Sequence, residues 1–285
     1  MMEKTLLDEI EARASARLDI IVLHSQKGGP GKTTLACNIA HELAKRGNKT
    51  VLIDLDIAQP AIQYIFHVPD EKIKFTINDI LLGKTKVKEE VLIQTDDPNL
   101  FLIIAKENVE YGEGLLSLIE GIQEFSFFAL HEMTKFLLRM GVRYVIYDCA
   151  PGYRMESVNA AAIADARIFV IRPSTFSYEG AKMMLNDIYK KLDISSLNFF
   201  VFNQLPPKLK AENKKLLESW KDEIIKMYLP EKIDFLDFLP LSFDIMELGI
   251  KGEYIFPETD DLYVKLTEIV DKLIKNIDEM KKKKK

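Results

Sequence analysis

The chain has 285 residues, of which 47% are hydrophobic and 29% charged, so it is long enough to bury one large α/β core. Its formal net charge is −5, and without the five lysines at 281–285 it would be −10, which excludes a uniformly basic nucleic-acid binder. The two cysteines and four histidines lack metal-ligand spacing, which argues against a disulfide framework and a zinc site.

The first predicted element is an amphipathic helix over residues 1–17, with apolar positions at Leu6, Leu7 and Ile10. Its acidic residues are unlike a secretory signal, and no apolar run in the chain is long enough to span a bilayer, so we expect a cytoplasmic protein. The pattern leaves open whether this helix binds a partner or packs on the body.

A glycine-rich loop separates an apolar strand, Leu18–Leu23, from a helical pattern over Thr33–Lys45. Its glycines let backbone N–H groups approach phosphate oxygens, and the helix N-terminus attracts anions. Lys32 is placed to reach the β- and γ-phosphates, and the Thr33 hydroxyl is placed to ligate Mg²⁺. The predicted nucleotide-binding residues of this loop are Gly28, Gly29, Pro30, Gly31, Lys32, Thr33 and Thr34.

The same loop carries a second lysine, Lys27. A second ammonium beside Lys32 would mostly add like-charge repulsion, so the simple interpretation is a solvated loop lysine. The run Lys-Gly-Gly-Pro-Gly-Lys-Thr-Thr, however, resembles the deviant Walker A motif of the ParA/MinD family of ATPases. This resemblance, which extends over roughly 18–280, implies that Lys27 reaches the ATP of the partner in a nucleotide-sandwich homodimer.

The next strand, beginning at Thr50, ends in two carboxylates, Asp54 and Asp56. Open parallel sheets place their ligands at such strand ends. The pair is similar to the family's switch I, which implies that Asp56 orients the attacking water and that Asp54 has a supporting role near the metal. The residues that follow, Ile57-Ala58-Gln59-Pro60, differ from those found at this point in ParA-like and in MinD-like members. The motif therefore does not assign the chain to either subfamily.

After the region 75–105, which follows the family pattern, and a helix over Phe127–Met140, a strand at Tyr144–Tyr147 leads into Asp148. Asp148 resembles the Walker B aspartate, which implies that it holds Mg²⁺ through water, and Gly152 would offer its N–H to the γ-phosphate. The alternative is that Asp148 only caps the next helix.

Two further strand ends complete the predicted nucleotide site. The strand Leu197–Phe202 is followed by Asn203, placed like the family's adenine-reading asparagine, although asparagine after a strand is also ordinary turn chemistry. Pro240, in a Pro-x-x-x-Asp run, is placed to pack beside the base.

Apolar strands alternate with helix-length amphipathic segments along the chain, which predicts an α/β fold with a single doubly wound, mostly parallel sheet and helices on both faces. The later helices are predicted at Glu156–Ala164, Tyr178–Leu192, Ala211–Met227 and Leu262–Met280. We expect one ATPase domain over 18–280, preceded by the N-terminal helix and followed by a basic tail at 281–285.

Three surfaces remain ambiguous. The lysine tail could attract DNA or anionic membrane by about 1 kcal/mol per lysine, or be a solvated end. The apolar stripe of the last helix is predicted to pack on the sheet and not on a membrane. The lysines at 208–221 alternate with acidic residues, which favours a solvated helix face.

The resemblance implies a Mg²⁺-dependent ATPase that dimerises with ATP, hydrolyses it slowly until a partner protein stimulates it, and positions a cargo at nonspecific DNA or an anionic membrane surface. Lys27, Lys32 and Asp56 would be its catalytic residues. Two alternatives stay open: a metabolic P-loop synthase acting on a small molecule, and an ATP-gated carrier with a groove at the Phe-rich stretch 125–140.

Overall fold

The computed structural model describes residues 18–106, 115–192, 196–227 and 233–284. The helix predicted for 1–17 and the last lysine, Lys285, lie outside the described residues. The described chain is built on an eight-stranded sheet with helices on both faces.

The strands are β1 (Asp19–His24), β2 (Thr50–Leu55), β3 (Ile93–Gln94), β4 (Leu100–Ile103), β5 (Tyr144–Cys149), β6 (Ala166–Ile171), β7 (Leu197–Leu205) and β8 (Ile233–Pro240). The helices are α1 (Lys32–Lys45), α2 (Ile62–Ile65), α3 (Ile77–Leu81), α4 (Leu115–Arg139), α5 (Met155–Ile163), α6 (Thr175–Met184), α7 (Ala211–Met227), α8 (Phe243–Ile250) and α9 (Asp261–Lys284). Single turns of 3₁₀ helix lie at Asp70–Lys72 and Glu89–Val91, and a π turn, Leu185–Tyr189, follows α6.

The strands are ordered β3-β4-β2-β5-β1-β6-β7-β8, and all neighbours are parallel except β3 and β4. This confirms the predicted fold class. Asp148 of β5 is in register with both Asp54 of β2 and Leu23 of β1. The sheet therefore places the ends of these three central strands side by side, directly below the loop that follows β1.

A hydrophobic core lies on each face of the sheet. One contains buried side chains of α1 and α9, and the other contains those of α3 to α7. The buried positions of α9 are Leu262, Leu266, Ile269, Val270, Leu273 and Ile277. This confirms that the apolar stripe of the last helix packs on the sheet.

Several element boundaries differ from the prediction. Helix α4 begins at Leu115 and not at Phe127, and α6 begins at Thr175 and not at Tyr178. Strand β7 continues to Leu205, which pairs with Pro240 of β8. Asn203 therefore lies within a strand and not after one.

The Phe-rich stretch of α4, considered above as a groove wall, is partly exposed. Phe128 is 55% exposed, whereas Phe136 is buried. Together with Ile80 and Val87 they line a cleft of about 440 Å³. None of the residues that line it belongs to the phosphate loop.

The lysine run at the end of the chain is divided by the fold. Helix α9 continues to Lys284, and the Nζ of Lys281 donates to the Leu18 carbonyl at 3.0 Å and pairs with Asp19. Asp19 is fully buried and also pairs with Arg143. Lys281 thus belongs to the folded body, which differs from the predicted tail, while Lys282 and Lys283 are exposed.

In the parts of the chain that the structure describes, no helix is both long and apolar enough to traverse a bilayer.

We predict that Lys281→Ala lowers the free energy of unfolding by about 1–3 kcal/mol, because it removes a charged partner of a buried carboxylate. The measurement is urea unfolding of the nucleotide-free protein. Lys282→Ala is the matched control, since it makes the same change one residue later on an exposed side chain, and it should stay within about 0.5 kcal/mol of wild type. Equal effects of the two variants would contradict the anchoring role of Lys281.

Candidate active site

The loop between β1 and α1 is shaped to receive an anion. Gly31 caps α1 in the left-handed conformation (φ 83°), no side chain caps the helix, and its first turn carries no acidic residue. A Cβ on Gly31 would lie 2.5 Å from the Nδ2 of Asn203. The N–H groups of the first turn are therefore available for phosphate oxygens, as at other helix N-termini.

A buried ion pair lies beneath this loop. The Nζ of Lys32 is 2.7 Å from the Oδ1 of Asp148, and the two side chains are 5% and 1% exposed. Burial opposes the charge of Lys32, but the Asp148 carboxylate outweighs it and raises the pKa of Lys32. The lysine is thus held as a cation at the base of the loop.

The two carboxylates at the end of β2 have different surroundings. Asp54 is fully buried and accepts hydrogen bonds from the N–H groups of Asp56, Ala61 and Ile62 at 3.0, 3.1 and 3.3 Å. Burial, together with the neighbouring Asp148 charge, raises the pKa of Asp54 to about 8. Asp54 therefore shapes the loop after β2.

Asp56 is the more accessible carboxylate. It is half-buried, and its Oδ1 accepts a hydrogen bond from the N–H of Gln59 at 3.2 Å. Burial raises the pKa of Asp56, and the Lys32 charge opposes that shift. Asp56 is the most exposed of the three predicted acidic residues.

The oxygen donors near the loop suit a metal that arrives with a nucleotide. Within the described ranges, no group of three or more His, Cys, Asp or Glu side chains is arranged to hold a metal ion. Mg²⁺ commonly takes one or two protein oxygens and completes its shell with phosphate oxygens and water. Thr33, in the first turn of α1, and Asp148, near the end of β5, carry oxygens of the kind that such a shared site uses, and Asp54 is in register with Asp148.

Gly152, in the loop at 150–154 that we call switch II, is hydrogen-bonded to the last residue of β1 and to the first residue of the phosphate loop. Its N–H donates to the Ser25 carbonyl at 2.9 Å, and its own carbonyl accepts from the Nε2 of His24 at 2.9 Å. Its φ of 79° favours glycine. The N–H predicted to face the γ-phosphate is thus engaged by Ser25, and contact with a phosphate would require this bond to open.

Asn203 braces the phosphate loop. Its Nδ2 donates to the Pro30 carbonyl at 2.8 Å, and the adjacent Gln204, at φ 62°, donates from Nε2 to the Gly29 carbonyl at 3.1 Å. One donor of the amide predicted to read adenine is therefore used by the loop itself. Pro240 ends β8 and lines a cleft of about 430 Å³ with Asp244 and Asp260.

Lys27 has surroundings unlike those of Lys32. Its Nζ lies 2.9 Å from the centroid of the Phe176 ring, and the Phe176 side chain is 70% exposed. Both residues line a cleft of about 680 Å³ beside the phosphate loop, together with the exposed Arg172 and Phe243. Among the residues that the structure describes, this lining contains two cations and no carboxylate.

Three residues near the site were not predicted to take part in it: His24, Phe176 and Gln204. His24 was noted without a role, and nothing in the local pattern distinguishes the other two. Each contacts the phosphate loop or switch II across more than 100 positions of sequence.

Comparisons with known proteins agree with this geometry. The family model described as an AAA domain (AAA_31) matches residues 18–198. The septum site-determining protein MinD of Synechocystis sp. is 28% identical over 243 residues, which are 84% of this chain and 82% of that protein.

Two solved structures share the fold. MinD of Pyrococcus horikoshii OT3, complexed with Mg-ADP, has a TM-score of 0.70 at 18% identity, covering 92% of this chain and 98% of that chain. A plasmid partition protein of Borrelia burgdorferi B31, bound to AMPPNP, has a TM-score of 0.69 at 25% identity, covering 90% of this chain and 99% of that chain. The family match over more than half of the chain, the fold and the phosphate loop agree: the chain belongs to the ParA/MinD family of P-loop ATPases.

Proposed function

We propose that this protein is a Mg²⁺-dependent ATPase that works as a switch: it dimerises with ATP between its subunits, hydrolyses the ATP slowly, and positions a cargo. The observation that carries the proposal is that the two lysines of the phosphate loop have different surroundings. Lys32 is buried against Asp148, whereas Lys27 lies over Phe176 in a neighbouring cleft whose described lining residues include no carboxylate.

The chain's own triphosphate would bind at the N-terminus of α1. Its phosphate oxygens accept hydrogen bonds from the loop N–H groups, including those of Gly29 and Gly31, and the Lys32 ammonium neutralises the β- and γ-phosphates. Because Lys32 already carries its charge next to Asp148, no proton has to move before phosphate binds.

The metal would be held by the Thr33 hydroxyl and, through water, by Asp148, with Asp54 in support. Bound there, Mg²⁺ would neutralise charge on the phosphates. The ion pair with Lys32 would hold the Asp148 carboxylate in position both with and without the metal.

Hydrolysis needs a water molecule in line with the γ-phosphate. Asp56 is the candidate to orient it, because it is half-buried and lies close enough to Lys32 for that charge to influence its pKa. Lys32 from one subunit and Lys27 from the other would stabilise the charge that develops on the phosphate.

Dimerisation would move Lys27 from the Phe176 ring to the phosphates of the partner's ATP. A cation over an exposed aromatic ring is held by about 0.5–1 kcal/mol, whereas charge-assisted hydrogen bonds to phosphate are stronger. We infer that Lys27 leaves Phe176 for the partner's ATP when two subunits meet. The cationic lining of the adjacent cleft, which includes Arg172, supports an anion approaching from this side.

The cargo surface would be nonspecific DNA or an anionic membrane, with a partner protein stimulating turnover. Two groups of exposed lysines are candidates for this contact, one just before and at the start of α7 and one at the end of α9: Lys208, Lys210, Lys214, Lys215, Lys282 and Lys283. Cosedimentation of the ATP-loaded protein with DNA and with anionic liposomes would separate the two surfaces.

We predict that Lys27→Ala weakens ATP-dependent dimerisation by roughly 30-fold or more, because an interfacial charge loses its partner, while ATP affinity stays largely unchanged. Analytical ultracentrifugation with a nonhydrolysable ATP analogue measures the dimer. Lys32→Ala is the contrasting variant and should lose ATP binding itself. Dimers of wild-type strength in Lys27→Ala would refute the role of Lys27.

We predict that Asp56→Ala lowers ATP turnover by roughly a hundredfold and yields a long-lived ATP dimer, because the attacking water loses its orienting carboxylate. Steady-state phosphate release and dimer lifetime measure the two effects. Glu156→Gln is the control, since Glu156 is a buried carboxylate near Asp56, and it should keep most of the turnover. Normal turnover in Asp56→Ala would count against this assignment.

We predict that Thr33→Ala raises the Mg²⁺ concentration needed for half-maximal turnover by about tenfold, because one protein oxygen of the metal site is lost. A Mg²⁺ titration of ATP turnover measures it. Thr34→Ala makes the same change at the next, equally half-buried position of α1 and should leave the Mg²⁺ requirement near that of wild type. If the two variants require the same Mg²⁺ concentration, Thr33 is not a ligand.

A further inference from the structure

His24 is a buried histidine to which the proposed chemistry assigns no role. It is the last residue of β1 and is fully buried. Its Nε2 lies 2.9 Å from the Gly152 carbonyl, and its Nδ1 lies 2.7 Å from the Tyr189 hydroxyl. The His24 ring therefore connects switch II to Tyr189, which lies 165 positions after His24 in the sequence.

The partners of the ring determine where its proton lies. Burial lowers the pKa of His24 to about 3. The hydrogen bond to Gly152 opposes this shift, and the Lys32 charge adds to it. The ring is therefore neutral near pH 7. A carbonyl only accepts, so Nε2 must carry the hydrogen and Nδ1 must accept one. The Tyr189 hydroxyl is then the donor, and it selects the tautomer that can hold Gly152.

Tyr189 is itself held firmly in place. It lies at the end of the π turn Leu185–Tyr189, a kind of helix irregularity that often occurs at functional positions. Its side chain is 5% exposed, and its ring meets the Phe169 ring edge-on at 5.8 Å. The hydroxyl is thus presented to His24 from a rigid, buried position.

The two attachments of Gly152 act together. Its N–H donates to the carbonyl of Ser25, the first residue of the phosphate loop, and its carbonyl accepts from His24, the last residue of β1. In this arrangement the N–H is turned to Ser25 and is not available to a phosphate. Moving Gly152 toward a γ-phosphate would break the hydrogen bond from its N–H to Ser25. It would also strain or break the hydrogen bond from the buried Nε2–H of His24. Losing these hydrogen bonds costs free energy.

We propose that His24 and Tyr189 form a clamp that holds switch II in its resting orientation and thereby sets the preference of the protein for ATP over ADP. The inference rests on the proposed function, because it assumes that Gly152 moves to the γ-phosphate. ADP has no γ-phosphate, so it binds without opening the clamp. The clamp therefore weakens ATP binding selectively, and both residues are positioning residues.

The test compares the dissociation constants of a nonhydrolysable ATP analogue and of ADP, each with Mg²⁺, in wild type, Tyr189→Phe, His24→Ala and His24→Gln. Tyr189→Phe and His24→Ala should tighten binding of the ATP analogue relative to ADP by about threefold to tenfold, as expected for one lost hydrogen bond. His24→Gln should keep the wild-type ratio, because its amide can donate to Gly152 and accept from Tyr189.

The matched control is Tyr178→Phe, which removes a hydroxyl from another buried tyrosine of the same helical segment. The Tyr178 hydroxyl donates to Glu223 at 2.6 Å, so its loss should leave the nucleotide ratio unchanged. The imidazole ¹⁵N spectrum gives a second readout that needs no nucleotide. His24, one of four histidines, should be a single Nε2–H tautomer in wild type and a mixture in Tyr189→Phe.

An unchanged ratio in both Tyr189→Phe and His24→Ala would overturn the clamp, as would equal shifts for both nucleotides or a His24→Gln variant that behaves like His24→Ala. A wild-type protein that binds neither nucleotide would instead overturn the proposed function, and the clamp with it. The two failures are therefore distinguishable.

Discussion

The arrangement of the site depends on the ion pair between Lys32 and Asp148. Lys32 begins α1, and Asp148 lies near the end of β5, in register with β1 and β2. Two charges buried this deeply are tolerated only as a well-paired unit, since removing one partner leaves an uncompensated charge. The pair therefore fixes the helix, the loop and the strand ends in one mutual arrangement. Asp54 shows the consequence: placed beside Asp148, it relies on three backbone N–H groups of the loop after β2, which it holds in shape.

The parts of this arrangement that could be predicted from the sequence are those with local causes. Hydrophobic periodicity predicts the strands, the helices and the buried stripe of α9, and parallel strands necessarily gather Asp54, Asp56 and Asp148 at one edge. Boundaries were predicted less well, because periodicity does not define where an element ends. The end of α9 is an example. Lysine is a good helix former, and Asp19 at the base of the sheet pairs with Lys281. Helix α9 therefore continues into the terminal lysines, which composition alone assigns to a tail.

The contacts that could not be predicted join distant parts of the chain. Asn203 and Gln204 support the carbonyls of Pro30 and Gly29 across more than 170 positions, and His24 meets Tyr189 across 165. No pattern within a strand or a helix encodes such a pair. The glycine at position 31 illustrates the difference: its left-handed conformation is expected of a phosphate loop, but the close approach of the Asn203 amide, which also excludes a side chain there, is a property of the assembled sheet.

The two lysines of the phosphate loop also differ in contacts that the local sequence does not define. Lys32 is buried and paired with Asp148 at the base of its own loop, which is why we propose that it serves the phosphates bound to that loop. Lys27 lies over an aromatic ring, and the described lining of the cleft around it includes a second cation, Arg172, and no carboxylate. Contact with an exposed ring restrains an ammonium weakly compared with a buried carboxylate. Moving Lys27 away from its present neighbour therefore costs less than moving Lys32, which is the basis of the role that we propose for Lys27 at a partner's ATP. The sequence motif names both lysines, but the asymmetry of their surroundings is what allows them different roles.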